Sequence, residues 1–370
     1  MEKTQISLIH DGLVVSGGAE RVAAALMRIF PASPLYTSAW LPENTYPYFK
    51  KNPPKQMWAS KMVQNEMAFK ALYPLWWLGF RNLDLSGSDL VISSSSYLSK
   101  YVRPPDGVPH ICYLHNPFRY LWDPDSYKDE KLPFPGSYSF VAKAILPLLR
   151  RLDQHYTDQI TQIITNSNYM AGRIKIIYGR DTEVVYPPIS IADFPLSENR
   201  QDFYLFAGRL KSYKRADLAV QACRHTGRKL VIAGTGPEEK KLQGLGAGIV
   251  TFMGKVSDSQ LKQLYSRARA LLVPGCEDFG LVPVEAQATG CPVIAFHEGG
   301  VSESILSDKT GLLFQEQSVE SLETAIQKFE KMKLDAREIR QNVLRFDIEN
   351  FKKNIYEIVN RFLPAGKHIQ

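Results

Sequence analysis

Residues 271–300 read LLVPGCEDFGLVPVEAQATGCPVIAFHEGG. Two apolar, strand-like runs, 270–273 and 292–296, flank a segment of helical composition, 282–289. Glu277 falls on the loop after the first run, and Glu285 follows eight residues later, inside the first turns of the helix. Both carboxylates can therefore face the crevice at the carboxyl ends of the strands, where open α/β sheets bind ligands. Between them, the backbone N–H groups of Phe279, Gly280 and Leu281 lie at a helix N-terminus, which offers donors to an anion or a sugar hydroxyl.

Working outward, the same alternation of strand and helix recurs. In the second half, 203–207, 229–233, 249–252, 270–273 and 311–314 read as strands, with helices over 213–225, from 238, over 257–266, near 302–306 and over 319–331. In the first half, strands are expected at 5–10, 34–39, 89–93, 109–114, 162–165 and 182–186, and helices at 19–30, 140–156 (interrupted by Pro147) and 167–178. Residues 123–136, rich in Pro, Asp and Lys, look like a mobile loop. A final helix over 350–362 is expected to cross back to the first half. Each half should be a mainly parallel, doubly wound sheet, and two such lobes facing across a cleft are the expected architecture. The expected domains are 1–190 and 200–349, with 350–370 packing back on the first, and a hinge where Pro, Asp, Ser and Asn dominate over 187–201.

A length of 370 residues supports two domains. Cys112, Cys223, Cys276 and Cys291 are scattered with no Cys-x-x-Cys pair, which favours reduced thiols over disulfides or a zinc site. The N-terminus runs directly into a strand, so no signal peptide is expected, and no apolar stretch approaches the roughly 18–20 residues of a membrane span. The formal charge of +7 is concentrated: Lys50, Lys51, Lys55, Lys61, Lys70 and Arg81 face only Glu66 across 50–81. That segment also carries Trp58, Trp76 and Trp77 among other large apolar residues. It suits an anionic membrane surface, or equally a solvated basic face over a buried helix. No nucleic-acid-binding module is recognisable.

Chemistry-bearing residues cluster after strands. The Gly17–Gly18 turn after the first strand permits close approach of a ligand to backbone, and His115 ends a buried strand. GRLKSYKR, residues 208–215, supplies Arg209 as a planar fork and Lys214 as a point charge, a plausible diphosphate clamp. It lacks the spacing of a P-loop. AGTGPEE around Gly234 is half of a dinucleotide fingerprint, without its third glycine in register. Asp123 and Asp125 form an Asp-x-Asp in a proline-rich loop with no other ligands at metal spacing, which reads as structural. Neither a Gly-x-Ser-x-Gly elbow nor a His-Glu-x-x-His occurs, which removes those hydrolase and zinc-protease readings. An Arg/Lys clamp combined with carboxylates for hydroxyl groups describes a nucleotide-sugar site.

GGAERV at Gly17, GRLKSYKR, EDFGLVPVEAQATGCPVIA at Glu277 and GGVSESI at Gly299 resemble the retaining glycosyltransferases of family 4, of the GT-B fold, over nearly the whole chain. VISSSSYLSK, HICYLHNPFRYLWD and VVYPPI are most similar to the bacterial O-antigen mannosyltransferases. The resemblance implies a nucleotide-diphospho-sugar donor, GDP-mannose by preference, a lipid-linked saccharide acceptor, no metal or other cofactor, and work at the cytoplasmic membrane face. It assigns Glu277 to the transferred sugar and Glu285 to the ribose. Backbone contacts come from Phe279, Gly280 and Leu281, diphosphate contacts from Arg209 and Lys214, and closure from Gly17 and Gly18. Val256 borders the base and His115 reaches the sugar, although Asn116-Pro117 stands where many relatives carry Asp. The alternatives are another nucleotide hexose (UDP- or dTDP-linked) or a catalytically silent subunit of the same fold. The intact Arg209, Lys214, Glu277 and Glu285 set speaks against the silent form.

Overall fold

The computed structural model describes residues 4–124, 140–246 and 248–363. The chain divides into two compact units, Met1–Pro188 with Phe351–Gln370, and Ile189–Asn350. Among the described residues of the first, β1 (Ile6–His10), β2 (Leu35–Thr37), β3 (Lys55–Gln56), β4 (Leu90–Ser95), β5 (His110–Leu114), β6 (Gln162–Thr165) and β7 (Glu183–Val184) form one sheet. Its order is β3-β2-β1-β4-β5-β6-β7, and every pairing is parallel. In the second unit β8 (Tyr204–Ala207), β9 (Leu230–Ala233), β10 (Val250–Gly254), β11 (Ala270–Val273), β12 (Val293–Phe296) and β13 (Gly311–Phe314) pair in parallel in the order β10-β9-β8-β11-β12-β13. Each unit is thus an α/β, Rossmann-like, doubly wound layer. Parallel strands covered on both faces read as continuous apolar runs, and β1, β4, β5, β11 and β12 are buried at every position.

The strand order reverses between β1 and β4 in the first unit and between β8 and β11 in the second. Loops leaving two strands in opposite directions open a crevice there. In the first unit the chain fills this place itself. Asp11, directly after β1, is buried, and its carboxylate accepts backbone N–H bonds from Ser96 (2.5 Å), Tyr97 (2.9 Å), Leu98 (2.8 Å) and Ser99 (2.6 Å), all just beyond β4. A second buried polar group lies nearby in sequence: the Lys100 ammonium pairs with Asp153 at 2.6 Å. The Asp153 carboxylate also accepts from the hydroxyls of Tyr101 and Tyr178 and from the Trp122 indole. Burial pushes the Asp153 carboxyl up, but Lys100 and these donors outweigh it and leave it below its usual range.

That network anchors the helix Phe140–Asp158, which runs through Pro147 without ending. The interruption expected at Pro147 does not occur, because the Arg150 bond to the Leu121 carbonyl (2.7 Å) and the Asp153 cluster hold the helix beyond it. Residues 302–306 likewise do not form an α-helix; a short 3-10 turn, Gly300–Ser304, ends in extended Ile305. The loop expected over 123–136 lies outside the described residues from Asp125 onward.

The 50–81 segment splits. Phe69, Trp76 and Phe80 are buried in the core, whereas Trp58 is 72% exposed and Met62, Met67 and Leu78 are also exposed. Lys50 pairs with Glu43 and Lys70 with Glu66, and Arg81 lies over the Tyr156 ring. The run after Pro188 belongs to the second unit: Ile189 N–H bonds Phe346 O (3.0 Å), and the Arg200 guanidinium donates to four carbonyls, those of Ser197, Tyr265, Ser266 and Thr289. The last helix, Ile348–Phe362, rejoins the first unit from Phe351, where the Tyr356 hydroxyl bonds Ile29 O and its ring meets Phe30 edge-on.

Asp11→Ala strands four donors, two of them buried (Leu98 and Ser99) and two half-buried, and should lower the stability of the first unit by about 2–4 kcal/mol. All five tryptophans lie in this unit, so urea unfolding followed by Trp fluorescence reads it directly. An unchanged midpoint would refute the plug.

Candidate functional site

In the second unit the reversal at β8 and β11 brings two loops side by side. The first leaves β8 through Gly208 and Arg209. Gly234, on the loop after β9, sits so close that a Cβ there would stand 1.9 Å from Gly208 O. The glycines of AGTGPEE therefore serve loop stacking. Arg209 is exposed. The loop then makes a 3-10 turn, Ser212–Lys214, and Arg215 adopts a left-handed conformation with φ 51° as the N-cap of the helix Ala216–His225. The Arg215 guanidinium is held by Asp217 (3.1 and 3.2 Å) and by Gln317 (3.1 Å), whose amide donates to Pro274 O (2.9 Å). Arg215 thus braces the two loops.

The second loop leaves β11 through Pro274. A Cβ on Gly275 would meet Tyr213 O at 2.7 Å and Lys214 Cα at 2.8 Å, so only glycine allows the loops to touch. Two residues on, Glu277 pairs its backbone with Gly299, and Gly300 N–H donates to Glu277 O at 2.8 Å. A Cβ on Gly300 would lie 2.1 Å from Asp278 O. With both backbones fixed, the Lys214 ammonium and the Glu277 carboxylate meet in a direct, partly buried ion pair. Phe279 buries its ring edge-on against Phe346 at 5.4 Å, which leaves its role to the backbone. Gly280, φ 86°, caps the helix Leu281–Ala288.

Glu285 lies on that helix, 5% exposed, and its carboxylate accepts from the Tyr265 hydroxyl at 3.0 Å. Val256 is half-buried between β10 and the helix Asp258–Arg267, whose start is fixed by a Ser257–Gln260 capping box. Within this unit, then, Lys214 and Glu277 are in contact, Arg209 shares the Lys214 loop, and Glu285 is turned to Tyr265. Tyr265, Arg215 and Gln317 escaped the sequence reading, since no spacing links a tyrosine or glutamine to loops so far away.

In the first unit Gly17 is the N-cap and Gly18 the first residue of the helix Gly18–Ile29, and the Tyr46 hydroxyl donates to Gly17 O at 3.2 Å. His115 follows β5 and is buried, with Nε2 2.8 Å from Ser94 Oγ. His10 Nδ1 lies 3.1 Å from both the oxygen and the hydroxyl of Ser94; because a carbonyl only accepts, that nitrogen carries the hydrogen. Burial, reinforced by His10, pushes His115 down to about 3. Burial alone holds His110 near 4, and it lowers His10 as well. All three imidazoles are neutral near pH 7. Asp123 ion-pairs with Arg173 at 3.8 Å, and Asp125 lies outside the described residues.

Solved structures share this fold along nearly the whole chain. The lipopolysaccharide outer core galactosyltransferase WaaB, in its apo form, superimposes with a TM-score of 0.68 at 17% identity, covering 97% of this chain and 100% of that one. HepE of Anabaena in complex with UDP gives 0.70 at 17% identity, covering 97% and 100%. The fold is that of the GT-B glycosyltransferases. Residues 190–345, which lie within the second unit, match the family model described as glycosyl transferases group 1. Among curated proteins, the D-inositol 3-phosphate glycosyltransferase of Mycobacteroides abscessus is 34% identical over 48% of this chain and 43% of its own length. The O-antigen chain mannosyltransferase RfbU of Salmonella typhimurium is 24% identical over 70% of this chain and 74% of its own. The chain thus spans less than half of the first of these relatives.

Two outcomes test the geometry. An unfolded histidine binds a proton near pH 6.5, and these folded ones do not. The first unit should therefore lose stability as pH falls below about 6.5, by up to about 1.4 kcal/mol per pH unit for each of His110 and His115. Trp-monitored urea unfolding near pH 7 and pH 5 reads the slope, which should shrink by one share in His110→Asn. Gly300→Ala should destabilise the second unit by about 2–4 kcal/mol through its clash with Asp278 O, read by hydrogen exchange of β11 and β12 amides.

Proposed function

We propose that the protein is a retaining, metal-independent glycosyltransferase that moves a hexose from a nucleotide-diphospho-sugar to a lipid-linked saccharide. The observation that carries this reading is the meeting of Lys214 and Glu277 at the carboxyl ends of β8 and β11, within the stretch that matches the group 1 family model. A cation beside a carboxylate at a switch point suits a ligand with phosphate at one end and hydroxyls at the other. Mannose from GDP-mannose is the preferred donor, supported by the likeness to RfbU. The D-inositol 3-phosphate glycosyltransferases and the UDP-bound HepE keep other donors in the test.

As the bond from sugar to phosphate lengthens, negative charge grows on the leaving diphosphate and positive charge on the sugar. Arg209 and Lys214 stabilise the first through preorganised donors, and Glu277 holds the sugar's hydroxyls. The departing phosphate oxygen takes the acceptor hydroxyl's proton on the same face as the new bond forms, so retention needs no covalent carboxylate. Glu285, oriented by Tyr265, binds the ribose. From the first unit, His115 and the Gly17–Gly18 turn are assigned to the donor by the family resemblance alone.

The lipid-linked acceptor implies work at an anionic membrane surface. Exposed Trp58 and Met62, with Lys51, Lys55 and Lys61 around them in sequence, support this. So do the exposed Ile145, Leu148, Leu149 and Leu152, at helical spacing on Phe140–Asp158. Among the described residues no helix is long and apolar enough to cross a membrane.

Hydrolysis and transfer assays against a panel of GDP-, UDP- and dTDP-hexoses identify the donor; silence with all of them would refute the enzyme reading. Arg209→Ala should cost about 2–4 kcal/mol of transition-state stabilisation, and unchanged turnover would remove Arg209 from the clamp. Vesicle flotation with Trp58→Ser plus Lys51, Lys55 and Lys61→Glu should lose binding to anionic lipid; retained binding would remove the membrane surface.

A further inference from the structure

Resting on the donor reading above, we infer that Glu277 makes the site discriminate a nucleotide sugar from the bare nucleoside diphosphate that transfer leaves behind. Lys214 and Glu277 are in direct contact, and their side chains are only 20% and 17% exposed. Neither end is free to drift. Gly275 presses against Lys214 from the neighbouring loop, and Gly299 and Gly300 pin the backbone of Glu277.

A diphosphate that draws the Lys214 ammonium onto its own oxygens competes for it with Glu277. The carboxylate is then left partly buried, without its cation and beside a like charge, which is costly. A nucleotide sugar carries its own compensation, because sugar hydroxyls donate to the oxygens that Lys214 vacates. A bare diphosphate carries none. Once the glycosyl group has left, Lys214 returns to Glu277 and the product is expelled. The same carboxylate thus selects substrate over product by what each leaves unpaired.

Calorimetric titration of UDP and GDP, with and without the hexose, tests this. Glu277→Gln keeps the shape but removes the competing charge, so affinity for the bare diphosphate should rise about tenfold. Its preference for the nucleotide sugar should narrow. Lys214→Ala should weaken both ligands, and the double variant should lose the gain, because the gain acts through Lys214. Tighter binding cannot arise from a misfolded protein. Unchanged or weaker diphosphate affinity in Glu277→Gln overturns the inference while leaving the donor reading intact. Absence of binding of any nucleotide sugar by the wild type overturns both.

Discussion

Backbone touching backbone is the constraint on which the second unit depends. Three loops, after β8, β11 and β12, approach one another at distances that a single methyl group would forbid, at Gly275 against Lys214 and at Gly300 against Asp278. Chain crossings this tight fix the loops far better than flexible side chains would. That is why a lysine and a glutamate distant in sequence can meet with so little freedom. The brace of Arg215, Gln317 and Pro274 works to the same end, and spends a guanidinium to satisfy a loop carbonyl's neighbour. Position comes first here, and charge is placed on top of it.

The two units make opposite use of one topology. Both reverse their strand order in the middle of the sheet, and so both open a place for an anion or a polar ligand. In the first, Asp11 occupies that place permanently and satisfies four backbone donors. In the second, the corresponding loops hold a separable Lys–Glu pair instead. A buried carboxylate with four N–H partners is a structural element; an ion pair still partly open to water can exchange partners. The contrast favours the second unit for the phosphate-binding role proposed above.

Much of this was legible in the sequence, for definite reasons. Parallel strands buried on both faces are continuous apolar runs, so β11 and β13 coincide with the spans read from composition. The loop glycines and the Glu277–Glu285 spacing are equally local. Interactions joining distant residues were not legible. Nothing in VISSSSYLSK announces that its amides wrap Asp11, eighty-five residues earlier for Ser96. Pro147 carried a true local cost that tertiary anchoring overcame. The helix Ala336–Val343 went unread because its apolar positions are few, although Asp335 caps it onto Arg337 N–H.

Basic residues near the candidate site divide by what they touch. Arg200 and Arg340 spend their guanidinia on carbonyls: Arg340 donates to Phe194, Ala288 and Ile191, and so closes the C-terminal end of the helix that carries Glu285. A cation there also complements the helix dipole. Arg215 is committed to Asp217 and Gln317. Lys214 differs from Arg200 and Arg340, because it pairs with one carboxylate on a loop, beside the Tyr213 ring, rather than with a cage of fixed carbonyls, and from Arg215, which is held by two side chains. Between Lys214 and Arg215, the lysine is the cation whose partner a ligand can more readily replace, in keeping with the role proposed for it above. The overall excess of positive charge in the chain is therefore a poor guide to function, and the replaceability of a cation's partner is the better one.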